Sequence, residues 1–282
     1  MAYVGGTKRS GCVFCDVLAV GDDRESLIVH RGERAFVMLN LYPYNSGHSM
    51  VVPYDHVPTI EELDPAARAE LLELATLAVE ASRRVLRCDG FNLGLNLGAV
   101  AGAGVADHLH MHVVPRWTGD ANFMPILGDT MVMPELLPST YARLRGEIEA
   151  IAGERSGRPV AAAGALVAVP GAGVAVVAAE GGPRFPVTRI ADGETTSAAA
   201  VRAVRATLDS AATIAGWAGI EGDALHERTA YFLVTASKDV VTPPGITVVP
   251  VEALADVLGD TFSLDLVREN LPILARLVDD AE

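Results

Sequence analysis

Short apolar segments separated by turn residues dominate the first third of the chain. Residues 27–53 contain apolar stretches broken at Gly, Asn and Pro positions, and this pattern predicts two or three β-strands. The segments 91–96 and 108–115 predict further strands. This part of the chain is therefore expected to form a sheet of several short strands.

Two segments keep helical spacing instead. Asp64 followed by Pro65 is typical of a helix start, because Asp caps a helix and Pro is tolerated at its first position. The first predicted helix spans 66–86, and the second, capped by Ser139, spans 140–152. The buried stripe of the first helix is expected to contain Leu71, Leu74, Ala78 and Val85.

The composition changes at residues 153–159, which read Gly-Glu-Arg-Ser-Gly-Arg-Pro and are typical of a linker. The sequence thus predicts two domains, 1–153 and 160–282. Residues 160–179 are long and apolar, but Gly164 and the segment 170–173 interrupt them. This break predicts a hairpin of two buried strands rather than a membrane span, in a second domain of the α/β class.

Three histidines, His108, His110 and His112, alternate along the predicted strand 108–115. Alternate side chains of a strand share a face, so the spacing predicts a row of three imidazoles. The alternatives are a surface cluster, a polar interior strand, a metal site and a nucleophile site. Packing alone is a poor explanation for three imidazoles, because each needs hydrogen-bond partners when it is buried. The Gly- and Ala-rich segment 98–104, which ends at Gly104, favours a nucleophile site, since its amides can approach a phosphate closely.

The residues around these histidines match a known pattern. Leu-Asn-Leu-Tyr-Pro-Tyr-Asn-Ser-Gly-His at 39–48, the segment 90–98, and Pro-Arg-Trp with Gly-Asp-Ala-Asn-Phe at 115–123 resemble the histidine triad (HIT) superfamily of nucleotidyl transferases and hydrolases. Within it they are similar to the actinobacterial diadenosine tetraphosphate phosphorylase branch. The resemblance covers about residues 10–150. It implies an α+β fold, with a HIT-type antiparallel sheet and helices, and a homodimer.

The resemblance also implies roles for three histidines. His110, the middle histidine, would attack an α-phosphate and form a covalent nucleotidyl-histidine, which splits one difficult displacement into two easier ones. His112 would contact that phosphate, and His48 would line the same pocket and support the nucleophile. A mechanism of this kind requires no catalytic metal.

Asn40 and Asn96 fall where the family binds ribose or phosphate, although Asn40 and Asn45 are also typical turn residues. One departure from the family concerns the segment 103–107, Ala-Gly-Val-Ala-Asp. The family commonly has Gln, Ser or Thr there to help the leaving group. The reaction rate and the choice of acceptor are therefore open.

The pair Cys12 and Cys15 forms a C-x-x-C motif, which by itself indicates a redox pair, a zinc site or chance. Many HIT proteins combine such cysteines with two histidines, and the matching positions here are His56 and His108. A Cys2His2 set suits closed tetrahedral structural zinc. The resemblance thus implies zinc; the alternative is a pair of reduced thiols. Cys88 is predicted to be an ordinary free thiol.

Residues 191–208 resemble the Nudix hydrolase box in their spacing, because seven residues lie between Glu194 and Arg202, as the box requires. Thr188 replaces its leading Gly. Ala203, Ala206 and Thr207 replace its metal-binding Glu residues, and Nudix chemistry needs several carboxylates to hold divalent cations. The resemblance implies an α/β Nudix-like domain over 160–282 without hydrolase activity. The alternative is an Ala-rich amphipathic helix after a loop.

Composition limits the possible partners. The chain has 282 residues and a formal charge of −14, which argues against nucleic acid as a partner. Three cysteines, no apolar signal core at residues 1–8 and no membrane span predict a cytoplasmic protein.

These observations predict an enzyme that transfers a nucleotidyl group from a dinucleoside polyphosphate or activated nucleotide to phosphate, another phosphorylated acceptor or water. The alternatives are a nucleotidyltransferase acting on a sugar or metabolite phosphate, a nucleotide sensor without catalysis, and a module whose zinc is purely structural.

Overall fold

The computed structural model describes residues 11–120, 136–222, 227–238, 240, 242–259 and 264–280. The predicted signals at residues 1–8 and 121–123 lie outside this range. Contacts between Cα atoms divide the chain into two compact units, Met1–Leu144 and Arg145–Glu282. The domain limits expected from the linker, 1–153 and 160–282, stay a prediction.

The first unit is built on a five-stranded sheet with the order β1-β2-β3-β5-β4, and every pair in it is antiparallel. The predicted antiparallel sheet is therefore confirmed. Its strands are β1 (Ile28–Arg31), β2 (Ala35–Leu39), β3 (Ser49–Pro53), β4 (Gly90–Leu95) and β5 (Met111–Arg116).

Helices cover this sheet. α2 (Pro65–Leu86) contacts β2, β3 and β5, and the Asp64 carboxylate accepts hydrogen bonds from the amides of Ala66 and Ala67, as predicted for a cap. All four residues of the predicted stripe are buried. A separate apolar cluster joins Phe14 of α1 (Val13–Val20) to strand residues, which are Ile28, Phe36, Met38, Met50 and Val52.

The predicted strand 108–115 is shorter than expected, because β5 begins at Met111 and excludes His108 and His110. The pairing of β3 with β5 ends where Val51 faces Met111. Pro53 has no amide hydrogen, and the Leu109 amide donates instead to the Val57 carbonyl at 2.7 Å. The hydrogen-bonded pairing of β3 with β5 therefore does not extend to His108 and His110.

α3 (Leu137–Arg155) is longer than the predicted helix 140–152, and the division between the two units falls within it, after Leu144. Its first part belongs to the first unit, where the Tyr141 hydroxyl donates to the Ile28 carbonyl at 3.2 Å.

The second unit contains a six-stranded sheet with the order β11-β7-β6-β10-β9, and β8 also pairs with β6. The predicted hairpin is confirmed, because β6 and β7 pair antiparallel. Only β6 and β10 pair in parallel among the described strands. The strands are β6 (Val160–Val169), β7 (Gly173–Val177), β8 (Val187–Arg189), β9 (Ala212–Glu221), β10 (Arg228–Ala236) and β11 (Ile246–Val249); the helices are α4 (Thr196–Leu208), α5 (Leu254–Leu258) and α6 (Leu264–Asp279).

Among the described residues, no helix has the length and apolar character needed to cross a membrane.

Candidate active site

Three histidines lie together at the β3–β5 pair. His48 directly precedes β3, His112 lies on β5, and His110 lies just before β5. His48 is 1% exposed and His110 is 6% exposed, so both imidazoles are buried. The ring centroids of His48 and His112 are 5.1 Å apart, and those of His110 and His112 are 4.9 Å apart. The predicted catalytic histidines therefore form one cluster.

Main-chain atoms determine which ring nitrogen of His110 bears the hydrogen. Its Nδ1 lies 2.9 Å from the His108 carbonyl oxygen, which can only accept a hydrogen bond. Nδ1 of a neutral His110 therefore bears the hydrogen and donates it, and Nε2 retains a free lone pair. A free lone pair on a fixed imidazole is what a nucleophile requires.

Hydrogen bonds also fix the tautomers of His48 and His112. The Tyr44 amide, which can only donate, lies 3.0 Å from Nδ1 of His48. His48 consequently bears its hydrogen on Nε2 and donates it to Nδ1 of His112 at 2.9 Å. His112 is thereby left with a hydrogen on its own Nε2, and it can donate that hydrogen to a phosphate oxygen.

Burial keeps these rings neutral. Burial first, and then the charges of His112 and His110, lower the pKa of His48 to about 3. Burial, followed by the charge of His110, lowers the pKa of His112 to about 4. Burial also lowers the pKa of His110, against the opposing effect of its bond to the His108 carbonyl. At neutral pH the cluster therefore offers one lone pair and one donor without a proton having to leave first.

Gly47 allows the tight turn that places His48 in the histidine cluster. Its φ is +74°, and a Cβ built on it would clash with Cδ1 of Leu86. We expect Gly47→Ala to lower the free energy of unfolding by about 2–3 kcal/mol, which combines left-handed strain with a steric clash.

Gly21→Ala is the matched control for Gly47→Ala, because Gly21 has a φ of +76° and nothing within 4 Å of an added Cβ. Gly21→Ala should lower the free energy of unfolding by only about 1 kcal/mol, which is the contribution of the conformational strain. Urea unfolding of both variants measures the difference, and equal losses would contradict the proposed clash with Leu86.

The predicted nucleotide-binding residues occupy different surroundings. Asn40 has its Oδ1 accepting from the Tyr42 amide at 2.9 Å, which is a turn bond, and its Nδ2 lies 3.4 Å from Nδ1 of His48. Asn96 lines a pocket together with His112. Gly104 is exposed and precedes Val105, which packs against the cluster that contains Phe14.

A polar network that the sequence did not predict lies beside His112. The Asp120 carboxylate accepts two bonds of 2.6 Å from Arg116 and one of 2.8 Å from the Asn45 amide. Arg116 also donates to Oδ1 of Asn92 at 2.7 Å. The bonds from Arg116 hold the pKa of Asp120 far below its usual range. Arg116 followed four residues later by Asp120 was a signal, but nothing local indicated Asn45.

The four predicted metal ligands, Cys12, Cys15, His56 and His108, converge. Their ligand atoms all lie within 4.8 Å of one another. The Cys12 Sγ–His108 Nδ1 distance is 3.2 Å, and the Cys15 Sγ–His56 Nδ1 distance is 3.4 Å. Tetrahedral zinc with bonds of roughly 2.0–2.3 Å separates its ligands by about 3.5 Å, so the arrangement fits.

The orientation of His108 supports the same conclusion about a metal. Its Nε2 lies 3.0 Å from the Pro53 carbonyl oxygen and donates to it, which leaves the Nδ1 lone pair facing the cysteines. Burial, and next the neighbouring Cys12, raise the pKa of the Cys15 thiol. A divalent cation would counter that effect, because it favours the thiolate. This cluster of the first unit could thus bind a metal ion.

In the second unit, Glu194 and Arg202, the two residues that match the box spacing, form an ion pair. Arg202 donates to the Glu194 carboxylate from Nε at 2.9 Å and from Nη2 at 2.7 Å, and to the Thr188 hydroxyl at 2.9 Å. Ala203 is buried on α4. No carboxylate occupies the three positions where the box has metal ligands.

Comparison with known proteins gives the family. The HIT domain family matches residues 22–119. An uncharacterized HIT-like protein of Methanocaldococcus jannaschii is 31% identical over 109 residues, which are 39% of this chain and 81% of that protein. The chain belongs to the HIT family. The family match ends within the first unit, so the Nudix-like assignment of 160–282 gains no support from it and stays a prediction.

A second relative is more similar in sequence. An AP-4-A phosphorylase of Mycobacterium tuberculosis is 50% identical over 125 residues, which are 44% of this chain. The matched part spans 64% of the length of that relative. Among solved structures, that of a Zn-bound histidine triad family protein from Mycobacterium smegmatis covers 51% of this chain and 97% of its own at 23% identity, with a TM-score of 0.43.

Proposed function

We propose that the first unit is a nucleotidyl transferase that cleaves a dinucleoside polyphosphate through a covalent nucleotidyl-His110. The single observation that supports this most is the bond from Nδ1 of His110 to the His108 carbonyl, which leaves the Nε2 lone pair free. A purely structural zinc module would not need a second, buried histidine cluster beside the metal ligands.

The reaction proceeds in two balanced displacements. Nε2 of His110 forms a bond to the α-phosphorus, and the bond from that phosphorus to the bridging oxygen breaks, so the remaining nucleotide leaves with the electron pair. An oxygen of inorganic phosphate then bonds to the same phosphorus, and the N–P bond breaks to restore His110. His112 donates its Nε2 hydrogen to an α-phosphate oxygen in both steps.

His48 acts through His112 rather than on the substrate. Its Nε2 hydrogen bond at 2.9 Å fixes the orientation and tautomer of His112. Asn40 and Asn96 are proposed to contact ribose or phosphate, and the amides around Gly104 the phosphate. The chain needs no catalytic metal for these steps.

The substrate class is inferred from the relatives. The AP-4-A phosphorylase of M. tuberculosis, at 50% identity, supports a dinucleoside polyphosphate with phosphate as acceptor. The segment 103–107 offers no hydroxyl or amide side chain for the leaving group. That difference keeps open a second candidate, transfer to a sugar or metabolite phosphate. A non-catalytic sensor is the third candidate, and the free lone pair of His110 argues against it.

The metal cluster is proposed to hold structural zinc. Cys12, Cys15, His56 and His108 would provide the four ligands, and bound zinc would tie α1 to the segment before β5. A homodimer and a cytoplasmic location are proposed from the family resemblance and the composition. The second unit is proposed to lack Nudix-type hydrolase activity. That activity depends on divalent cations, and the side chains of Ala203, Ala206 and Thr207 cannot bind such ions.

The proposed function is tested by incubating the protein with diadenosine tetraphosphate, with and without inorganic phosphate, and identifying the products by mass spectrometry. We expect ADP and ATP only when phosphate is present. AMP and ATP without phosphate would identify a hydrolase, and a nucleotidyl mass on His110 without turnover would indicate a different acceptor. If neither products nor the adduct form, the proposed substrate class is wrong.

A further inference from the structure

A pocket of about 420 Å³ opens beside His112 on the sheet face that bears the histidine cluster. Its walls come from β4, from β5 and from the turn before β3, and they include Tyr44, Asn92, Gly94, Asn96 and Arg116. Gly94 faces His112 across the β4–β5 pair, so the two positions share one face of the sheet. The pocket is therefore continuous with the reacting centre.

Asp120, the one carboxylate among the described residues that line this pocket, already accepts several hydrogen bonds. Asp120 accepts from Nε and Nη2 of Arg116, from Nδ2 of Asn45 and from the Trp117 amide, at distances between 2.6 and 3.1 Å. Arg116 balances its charge, in an ion pair of 2.6 Å. Although the whole chain has a formal charge of −14, the pocket presents no unpaired negative group among the described residues.

The pocket wall carries hydrogen-bond donors that no described residue of the protein accepts. Oδ1 of Asn92 accepts from Arg116, which turns the Nδ2 donor of Asn92 away from that bond, and Nδ2 makes no hydrogen bond to any described residue. Asn96 likewise has no hydrogen-bond partner in the described part of the chain. These two side-chain amides suit an oxyanion with several acceptor oxygens, bound next to the α-phosphate that His112 is proposed to contact.

The two-step chemistry indicates which oxyanion occupies the pocket. In an in-line displacement the leaving group departs opposite His110, and in the second step the acceptor must attack opposite the same histidine. Leaving group and acceptor therefore use one subsite. Asn40, the proposed ribose contact, lies near Nδ1 of His48, whereas the pocket opens beside His112 towards β4.

We propose that this pocket binds the phosphate group adjacent to the α-phosphate, first as the departing end of the polyphosphate and then as the incoming acceptor phosphate, with the Asn92 amide as a specific donor. The inference rests on the proposed function and extends it to the acceptor. Arg116 and Asp120 act as positioning residues, because they orient Asn92 and the Asn45 turn.

The first test replaces Asn92 by Asp, which preserves the oxygen that accepts from Arg116 and exchanges the free donor for a negative oxygen. We expect the KM for inorganic phosphate to rise about 10-fold or more, because a donor to a charged group is lost and repulsion is added. Asn92→Ala, which removes the donor without adding charge, should raise the KM less. Unchanged KM values in both variants would overturn the proposal.

The second test fills the pocket from the strand. A Cβ on Gly94 meets nothing within 4 Å, so Gly94→Val can be accommodated on β4 while it occupies the pocket. Gly90→Val is the matched control, since Gly90 lies on the same strand and face, also with nothing within 4 Å of an added Cβ, but does not line the pocket. Phosphorolysis should fall at least 10-fold in the first variant only.

A substrate with a small leaving group separates this inference from the proposed function. Adenosine 5′-phosphoramidate releases ammonia and places no phosphate in the pocket. We expect Asn92→Asp and Gly94→Val to slow formation of the His110 adduct from it less than they slow the second step, in which phosphate is the acceptor. A parent protein that forms no adduct from either substrate would refute both proposals. Normal phosphate use by both variants would refute the pocket alone.

Discussion

His110→Ala is expected to reduce turnover of diadenosine tetraphosphate at least about 1,000-fold, because His110 is the proposed nucleophile of the covalent step. The Nε2 lone pair is held towards the site by the bond from Nδ1 to the His108 carbonyl, and the replacement removes both nitrogen atoms. The adduct should disappear from the mass spectrum of the protein. Circular dichroism should show that the variant still folds.

His30→Ala serves as the control for His110→Ala. His30 lies on β1, outside the cluster formed by His48, His110 and His112. Its replacement should leave turnover within about 2-fold of the parent rate. Full activity of His110→Ala would show that the nucleophile is misassigned.

If Mg²⁺-dependent hydrolysis persists in His110→Ala and is lost on adding Glu194→Ala, the second unit is a hydrolase and its proposed inactivity is wrong.

Loss of the metal site is expected to have the largest effect on stability. The purified protein should contain one zinc per chain, and Cys12→Ser should abolish it, because a serine hydroxyl is a poor zinc ligand beside Cys15, His56 and His108. We expect the free energy of unfolding to fall by about 3–5 kcal/mol and the melting temperature to fall on the order of 10 °C, because zinc binds only the folded arrangement. Elemental analysis and thermal unfolding with and without chelator measure both quantities.

Cys88→Ala is the matched cysteine control for the metal site. Cys88 is a buried free thiol that is not part of the ligand cluster. Its replacement should leave a small cavity, lower the free energy of unfolding by about 1 kcal/mol and leave the zinc content unchanged. A preparation without zinc, combined with equal melting temperatures for the parent and Cys12→Ser, would exclude a structural zinc site.

Elements defined by neighbouring residues could be predicted from the sequence. α2 follows from the Asp64 cap, Pro65 and a 3.6-residue apolar repeat, and its predicted stripe is buried. The β6–β7 hairpin follows from apolar runs broken by Gly and Pro. The histidine spacing and the C-x-x-C motif singled out the residues that cluster in the structure. Such patterns are readable because periodicity and turn chemistry act over a few residues.

Only the tertiary structure decided the features that depend on distant residues. β5 begins at Met111 because Val57 accepts the bond of Leu109, and no local pattern predicts that contact. β9 escaped prediction, since its small residues lack strong alternation and it forms a strand against β10.

The candidate site shows the same distinction between local pattern and tertiary contact. The sequence by itself determined the residue types and spacing of the histidines and of the metal ligands. It could not give the tautomers of His110 and His48, which main-chain atoms impose. Nor could it give the contact between Asn45 and Asp120, which are 75 residues apart in sequence. Folding alone brings such partners together, because hydrogen bonds depend on distances in space.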